Sequence, residues 1–281
     1  MDDYSAWVGR SETREDVASL APLRGLAALL DHDMSLAAPD TVPPLGHWLY
    51  FLPDARQSAI GEDGHPRRDG TGLLPPVPLP RRMWAGGRID FLAPIPVGAA
   101  LTRLTTIDAI RPKRGASGDL LFVTLRHEIA ADGIAAVREE QDLVYRAPAP
   151  AGTAVATLPS ADPDAGPAEE VRSVSPDPVL LFRYSALTFN AHRIHYDREY
   201  AQGAEGYAGL VVQGPLIATL LMDHFLRTTP AAAPRRFTFR AEAPLIEGAA
   251  FDLCLSREAG EARLWARDAA GRRTMRAGIN I

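Results

Sequence analysis

Residues 183–197 read Arg183-Tyr184-Ser185-Ala186-Leu187-Thr188-Phe189-Asn190-Ala191-His192-Arg193-Ile194-His195-Tyr196-Asp197. The run that leads in, Val179 to Thr188, is rich in aromatic and branched residues and is bounded upstream by Pro176 and Pro178, which predicts a strand. The character then changes: Asn190, His192, Arg193 and His195 place four polar side chains within six residues. Shortly after comes Gly209-Leu-Val-Val-Gln213-Gly214-Pro215, followed by an apolar run from Leu216 to Phe225. Pro215 suits the first turn of a helix, and Gly214 permits a close backbone approach just before it. A polar loop beside the N-terminus of a buried helix can supply a base and free backbone N–H donors in one place.

Downstream the pattern has period two. Phe237 and Phe239 alternate with Thr238 and Arg240, Phe251, Leu253 and Leu255 with Asp252 and Ser256, and Leu264 and Ala266 with Arg263 and Arg267. Ala277, Ile279 and Ile281 continue it, so four strands are predicted, each with one buried and one wet face. The helix from Leu216 is apolar on most sides and should lie inside them. Upstream, residues 11–31 predict a helix: Thr13 and Asp16 have capping-box spacing, and Val17, Leu20, Leu23, Ala27 and Leu30 follow helical spacing. Residues 53–82 carry Pro53, Pro66, Pro75, Pro76, Pro78 and Pro80, a long loop of the functional or disordered kind. From Arg82 to Arg146 the chain predicts strands, with turns at Gly115–Asp119 and Ala131–Gly133. Residues 147–177, rich in Pro, Ala and Asp, predict a linker between an N-terminal domain, 1–146, and a C-terminal domain, 178–281.

The 281 residues are 46% hydrophobic and 23% charged, as in a folded globular protein. A net charge of −5 gives no reason to expect a nucleic-acid partner. The single cysteine, Cys254, excludes an intramolecular disulfide and suits a reducing compartment. The opening Met-Asp-Asp-Tyr lacks a basic, then apolar, leader, and no apolar run approaches membrane-spanning length, so a cytoplasmic location without membrane attachment is expected. No Cys/His set has zinc spacing and no Gly-rich loop matches a phosphate cradle, so neither metal nor cofactor is expected. His47 and His65 have no identifiable partner, and Arg183 and Lys113 read as surface charges.

The 183–197 stretch resembles the overhang segment of MaoC-like hydratases and dehydratases, whose motif runs Asp-x-Asn-Pro-(Ile/Leu)-His. Here Asn190 stands at the carboxylate position, His192 at the Asn, Arg193 at the Pro and His195 at the His. The form Ser-Ala-Leu-Thr-Phe-Asn190-Ala-His-Arg-Ile-His-Tyr-Asp197 is similar to the subgroup of hydroxyacyl-thioester dehydratases type 2 and mesaconyl-CoA or itaconyl-CoA hydratases. Trp84-Ala-Gly-Gly87 and Lys113-Arg-Gly-Ala-Ser-Gly118 resemble the N-terminal half of the same subgroup. The resemblance implies an α+β double hot-dog, two antiparallel sheets each wrapped around a helix, with a degenerate N-terminal half.

It also implies a hydro-lyase acting on an enoyl or 3-hydroxyacyl thioester of coenzyme A or an acyl carrier. His195 becomes the acid–base group, Asn190 the water-positioning group and the Gly214 N–H the oxyanion donor. Gln213, which replaces a His common before this Gly, is expected at the substrate together with His192. Arg193 is expected either to meet a substrate carboxylate or coenzyme A phosphate, or to pair with a surface Asp. An amide cannot take a proton, so the acid–base work falls on His195. The substrate expected is a short branched dicarboxylyl-CoA such as mesaconyl- or itaconyl-CoA. The alternatives are a fatty 3-hydroxyacyl dehydratase, a hot-dog thioesterase using Asp223 or Glu205, and a non-catalytic acyl-thioester binding module. Exposed sheet edges suggest a homodimer.

Overall fold

The computed structural model describes residues 3–33, 40–115, 118–147 and 167–281. The first segment departs from expectation. Ser11–Val17 is a strand, β1, and the helix that follows, α1, covers only Leu20–Leu29. The apolar spacing is genuine, since Leu23, Leu26 and Leu29 are buried. The capping-box residues serve other ends: Thr13 pairs across to Leu104, and Asp16 accepts the Phe51 N–H at 2.6 Å. A partner strand satisfies the backbone of 11–17 as a helix would have done.

The expected strands are β2 (Arg81–Phe91), β3 (Ala100–Gly115), β4 (Gly118–Ala131) and β5 (Ile134–Arg146); β3, β4 and β5 form a meander, and β2 crosses over to pair with β5 instead of β3. Asp132 and Gly133, at φ 48° and 79°, make the turn between β4 and β5. Of the predicted linker, residues 148–166 lie outside the described residues, and Glu170–Val174 is a strand, β6.

The predicted strand Val179–Thr188 is a helix, α2 (Pro178–Thr188). Asp177 caps it by accepting the Leu180 N–H at 2.7 Å, and Pro178 sits in its first turn, where the missing N–H costs nothing. Its buried residues, Leu181, Tyr184 and Ser185, have the i, i+3, i+4 spacing of one helix face. Aromatic content pointed to a strand, but caps and a buried helical stripe decide the conformation. α3 (Arg198–Gly203), α4 (Gly214–Thr228) and β7 (Arg236–Ala241), β8 (Phe251–Glu258), β9 (Glu261–Arg267) and β10 (Arg273–Asn280) complete the chain.

Among the described residues, ten strands join one antiparallel sheet in the order β1-β3-β4-β5-β2-β7-β10-β9-β8-β6. From either outer edge the order is the same: first strand of the half, third, fourth, fifth, then second at the seam. The two halves therefore repeat a topology without a residue-level repeat. They meet where β2 pairs with β7, from Gly86↔Arg240 to Asp90↔Arg236. α4 packs against β8, β9, β10 and β2, and Leu216 to Phe225 are all buried. Each large apolar side chain so buried contributes roughly 1.5–3 kcal/mol. Between α1 and β2, the described residues form 3-10 turns at Gly46–Leu49 and Gln57–Ala59 and isolated bridges at Thr41 and Ile60, with no longer helix. No counterpart of α4 fills the N-terminal half there, and a cleft occupies the space. Among the described residues, no helix is long and apolar enough to cross a membrane.

Candidate active site

Phe189 ends α2 in the left-handed conformation, φ 46°, and swings the chain out of the helix. The Asn190 N–H donates to Ser185 O at 2.9 Å, and Asn190 Oδ1 accepts the His192 N–H at 3.1 Å. The amide oxygen is thus used locally, which leaves the Nδ2 group as a donor. A 3-10 turn, Arg193–His195, follows. His195 Nδ1 lies 2.7 Å from Val211 O, while the Val211 N–H donates to Ile194 O at 2.9 Å. A carbonyl only accepts, so Nδ1 carries the proton and Nε2 keeps its lone pair. Burial lowers the pKa of His195 to about 4, so at neutral pH it is an uncharged base.

Gly214 is the first residue of α4, and its N–H has no acceptor within the helix. A Cβ placed on it would meet nothing nearer than Trp84 O at 3.8 Å, so protein packing does not demand glycine there. Asn190, His192, His195 and Gly214 all line one cleft of about 2450 Å³. The elements that bring them together are the end of α2, the 3-10 turn and the start of α4.

The same cleft receives residues that had no visible role in the sequence. The segment 61–65 docks on the overhang: the Arg193 N–H donates to Asp63 O at 3.0 Å, and the Gly61 N–H to His65 O at 2.7 Å. Gly64 has φ +87°, and a Cβ there would lie 1.7 Å from Ala191 O. His65 Nδ1 is 3.1 Å from Asp63 Oδ2, and its ring centroid is 4.2 Å from that of His192. The His192 ring is in turn 5.4 Å from His195, edge to face. Burial, then the Arg82 charge, lowers the pKa of His65 to about 4. Burial, then the neighbouring His65 and His195, pushes His192 down as well. Burial works upward on Asp63, but its bonds to His65 prevail and hold the carboxyl below its usual range. Asp63-Gly64-His65 is a turn-like tripeptide in the sequence; nothing local reveals the partner segment it meets.

Two expected substrate residues are engaged elsewhere. Arg193 binds Asp197 through Nε at 3.0 Å and Nη2 at 2.7 Å, donates to Glu62 O at 3.0 Å and lies 4.2 Å over the Tyr200 ring. Of its two readings, the pairing with an Asp is the one observed, because Asp197 stands one helical turn away. Gln213 is fully buried and outside the cleft lining; its Nε2 donates to Leu181 O and Ser185 Oγ, each at 2.9 Å, tying α2 to the start of α4. The carboxylates a thioesterase would need are also committed: Asp223 to Arg172 at 2.7 Å and Arg227 at 2.9 Å, Glu205 to Arg81 at 3.0 Å.

The wall on the N-terminal side is aromatic and polar. Trp48 and Trp84 meet edge to face at 5.1 Å, and Trp84 and Phe239 lie 5.9 Å apart. His47, without a partner in the sequence reading, bonds Glu139 at 3.0 Å, and Trp48 Nε1 donates to the same carboxylate. Among the described residues, no group of three or more His, Cys, Asp or Glu side chains is arranged to hold a metal ion.

Comparison with known proteins bears on the fold and the family. The mesaconyl-C(4)-CoA hydratase of Chloroflexus aurantiacus is 48% identical over 263 residues, which cover 92% of this chain and 90% of that protein. The crystal structure of HtdX of Mycobacterium tuberculosis superposes with a TM-score of 0.68 at 19% identity, covering 97% of this chain and 100% of that one. A second Mycobacterium tuberculosis protein, described as having a double hotdog fold, gives a TM-score of 0.56 at 16% identity, covering 97% and 96% of the two chains. The fold is the double hot-dog, and the family model for hydroxyacyl-thioester dehydratase type 2 matches residues 45–247, so the chain belongs to that family.

Proposed function

We propose that this hydro-lyase adds water across the C2–C3 bond of an enoyl-CoA whose C3 carries a carboxylate and a methyl group, the mesaconyl-C4 type, and catalyses the reverse elimination. The observation that carries the reading is the neutral His195, its Nδ1 held by Val211 O, lining the same cleft as the free N–H of Gly214. Water accepts a hydrogen bond from Asn190 Nδ2 and attacks C3 while His195 Nε2 takes its proton. The C2–C3 π pair moves toward the thioester, whose oxygen becomes negative and is met by the Gly214 N–H at the positive end of α4. His195 then returns its proton to C2. The steps call on no cofactor, because the thioester itself acidifies C2. The 48% identity to a mesaconyl-C(4)-CoA hydratase supports the acyl group named here.

A panel of mesaconyl-C4-, itaconyl-, crotonyl- and longer trans-2-enoyl-CoA substrates tests it. The expected order by kcat/KM puts mesaconyl-C4-CoA first. Preference for long unbranched chains would overturn the acyl assignment, and release of free thiol would overturn hydration. A homodimer also stays a proposal. The seam strands β2 and β7 already cover each other within one chain, leaving β1 and β6 as the edges. Light scattering separates a 30.3 kDa species from one of twice that mass.

A further inference from the structure

Arg82 is the second residue of β2. Its neighbour Arg81 is buried against Glu205. Alternation along the strand puts Arg82 on the face of Trp84, and Arg81, Arg82 and Trp84 all line the cleft. Several cleft arginines have partners in the protein. Arg14 has Asp54, Arg68 the carbonyls of Leu79 and Pro80, and Arg88 the carboxylates of Glu140 and Asp142. Arg82 is partly buried, and its side chain makes no hydrogen bond or ion pair with any described residue.

Its position separates it from the other unpaired cations of the cleft. Arg67 and Arg240 are exposed, and Arg103 lies over the Phe51 ring at 4.8 Å. Arg146 acts on Glu205 and Tyr207. Arg82 alone of these acts on His65 and His192, beside His195. The strand also passes the oxyanion donor, since a Cβ on Gly214 would lie 3.8 Å from Trp84 O. Two residues of strand span about 7 Å, which is close to the length of a four-carbon acyl group. Arg82 thus lies in the cleft on the strand that passes Gly214, two residues before the carbonyl that faces it. A partly buried guanidinium without a counter-ion keeps its donors available, and a planar carboxylate matches its fork.

We propose that Arg82 is the carboxylate-binding residue of the acyl pocket, pairing with a carboxylate on the carbon that receives water. This rests on the mesaconyl-type reading above. It makes Arg82 the residue that distinguishes a dicarboxylyl thioester from its neutral isostere, the task that the sequence suggested for Arg193.

The test uses two saturated thioesters that cannot react: methylsuccinyl-CoA with the thioester on C4, and isovaleryl-CoA, in which a methyl replaces the carboxylate. Titration calorimetry on the wild-type chain should show tighter binding of methylsuccinyl-CoA by roughly 10–100-fold, the usual worth of a charged hydrogen-bonded pair. Arg82→Gln should bring that ratio to about one while leaving isovaleryl-CoA within about threefold of wild type, and Arg82→Lys should keep part of the ratio. A ratio unchanged in Arg82→Gln, or an equal loss for both ligands, would overturn the proposal, the second outcome placing Arg82 on coenzyme A. Both variants should fold with a melting temperature within about 2 °C of wild type, as for a side chain without protein partners; failure to fold would show a structural role and also overturn it. If the wild-type chain binds both thioesters equally, the dicarboxylyl reading fails; if it hydrates no enoyl-CoA, the hydratase reading fails.

Discussion

His195 is a base at neutral pH for two reasons that act together: the Val211 carbonyl holds its tautomer, and burial keeps it uncharged. Replacement by Ala should leave a folded protein with kcat/KM lowered by about 10²–10⁴-fold, the usual range for a general acid–base group. Near-normal turnover would remove the mechanism. Asn190→Asp keeps the oxygen that accepts the His192 N–H but removes the Nδ2 donor, so kcat/KM should fall yet stay measurable, and total loss would show that the donor is required. The pH dependence follows from the same burial. With the His195 pKa lowered to about 4, log kcat/KM should be flat through neutrality and bend down only near pH 4, rather than near the ordinary 6.5. Stability shares the sign. His65 and His195 bind protons near 6.5 when unfolded but only near 4 when folded. The unfolded state then holds more protons between those values, and stability falls as pH drops through that window. Urea midpoints at pH 7.5 and pH 5 should show the lower value at pH 5.

At the scale of elements, the site depends on a loop and an overhang meeting closely. Gly64 has φ +87°, and its absent Cβ would overlap Ala191 O. Gly64→Ala should push the 61–65 turn off the overhang, weaken the Arg193 N–H to Asp63 O bond and displace His65 from His192. The expected result is a loss of at least tenfold in kcat/KM, since small misplacements near reacting groups are expensive, with destabilisation of about 1–3 kcal/mol. An Ala variant with unchanged kinetics would show that the turn is not part of the site.

For the molecule as a whole, the functional residues come from both halves, so the seam has to hold. At Gly86 a Cβ would lie 2.5 Å from Phe239 O, and at Gly87 2.7 Å from the Phe239 ring. The glycine pair lets β2 and β7 pair across this crowded junction. Gly86→Ala should lower the melting temperature and, by shifting β2 with Arg82 and Trp84, lower kcat/KM as well. A melting temperature equal to wild type would show that the seam accommodates the methyl.

What the sequence determined is local and chemical: the overhang Asn190 to His195, the N-terminus of a buried helix at Gly214, the strands after Arg82 and the strands of the second half. These are legible because a 3.6-residue or two-residue period, a Pro in a helix's first turn and a run of polar groups are written in adjacent residues. Tertiary structure decided the rest. The Asp177-Pro178 start is local, but whether 179–188 is strand or helix turned on a buried stripe that meets α1, and whether 11–17 is helix or strand turned on a partner in β3. The approach of His65 and Arg82 to His192 depends on a sheet that closes between halves far apart in the chain, and the diversion of Arg193 to Asp197 on a 3-10 turn. No window of sequence contains both sides of such a contact, because it forms only when burial of two apolar halves outweighs the entropy of bringing them together.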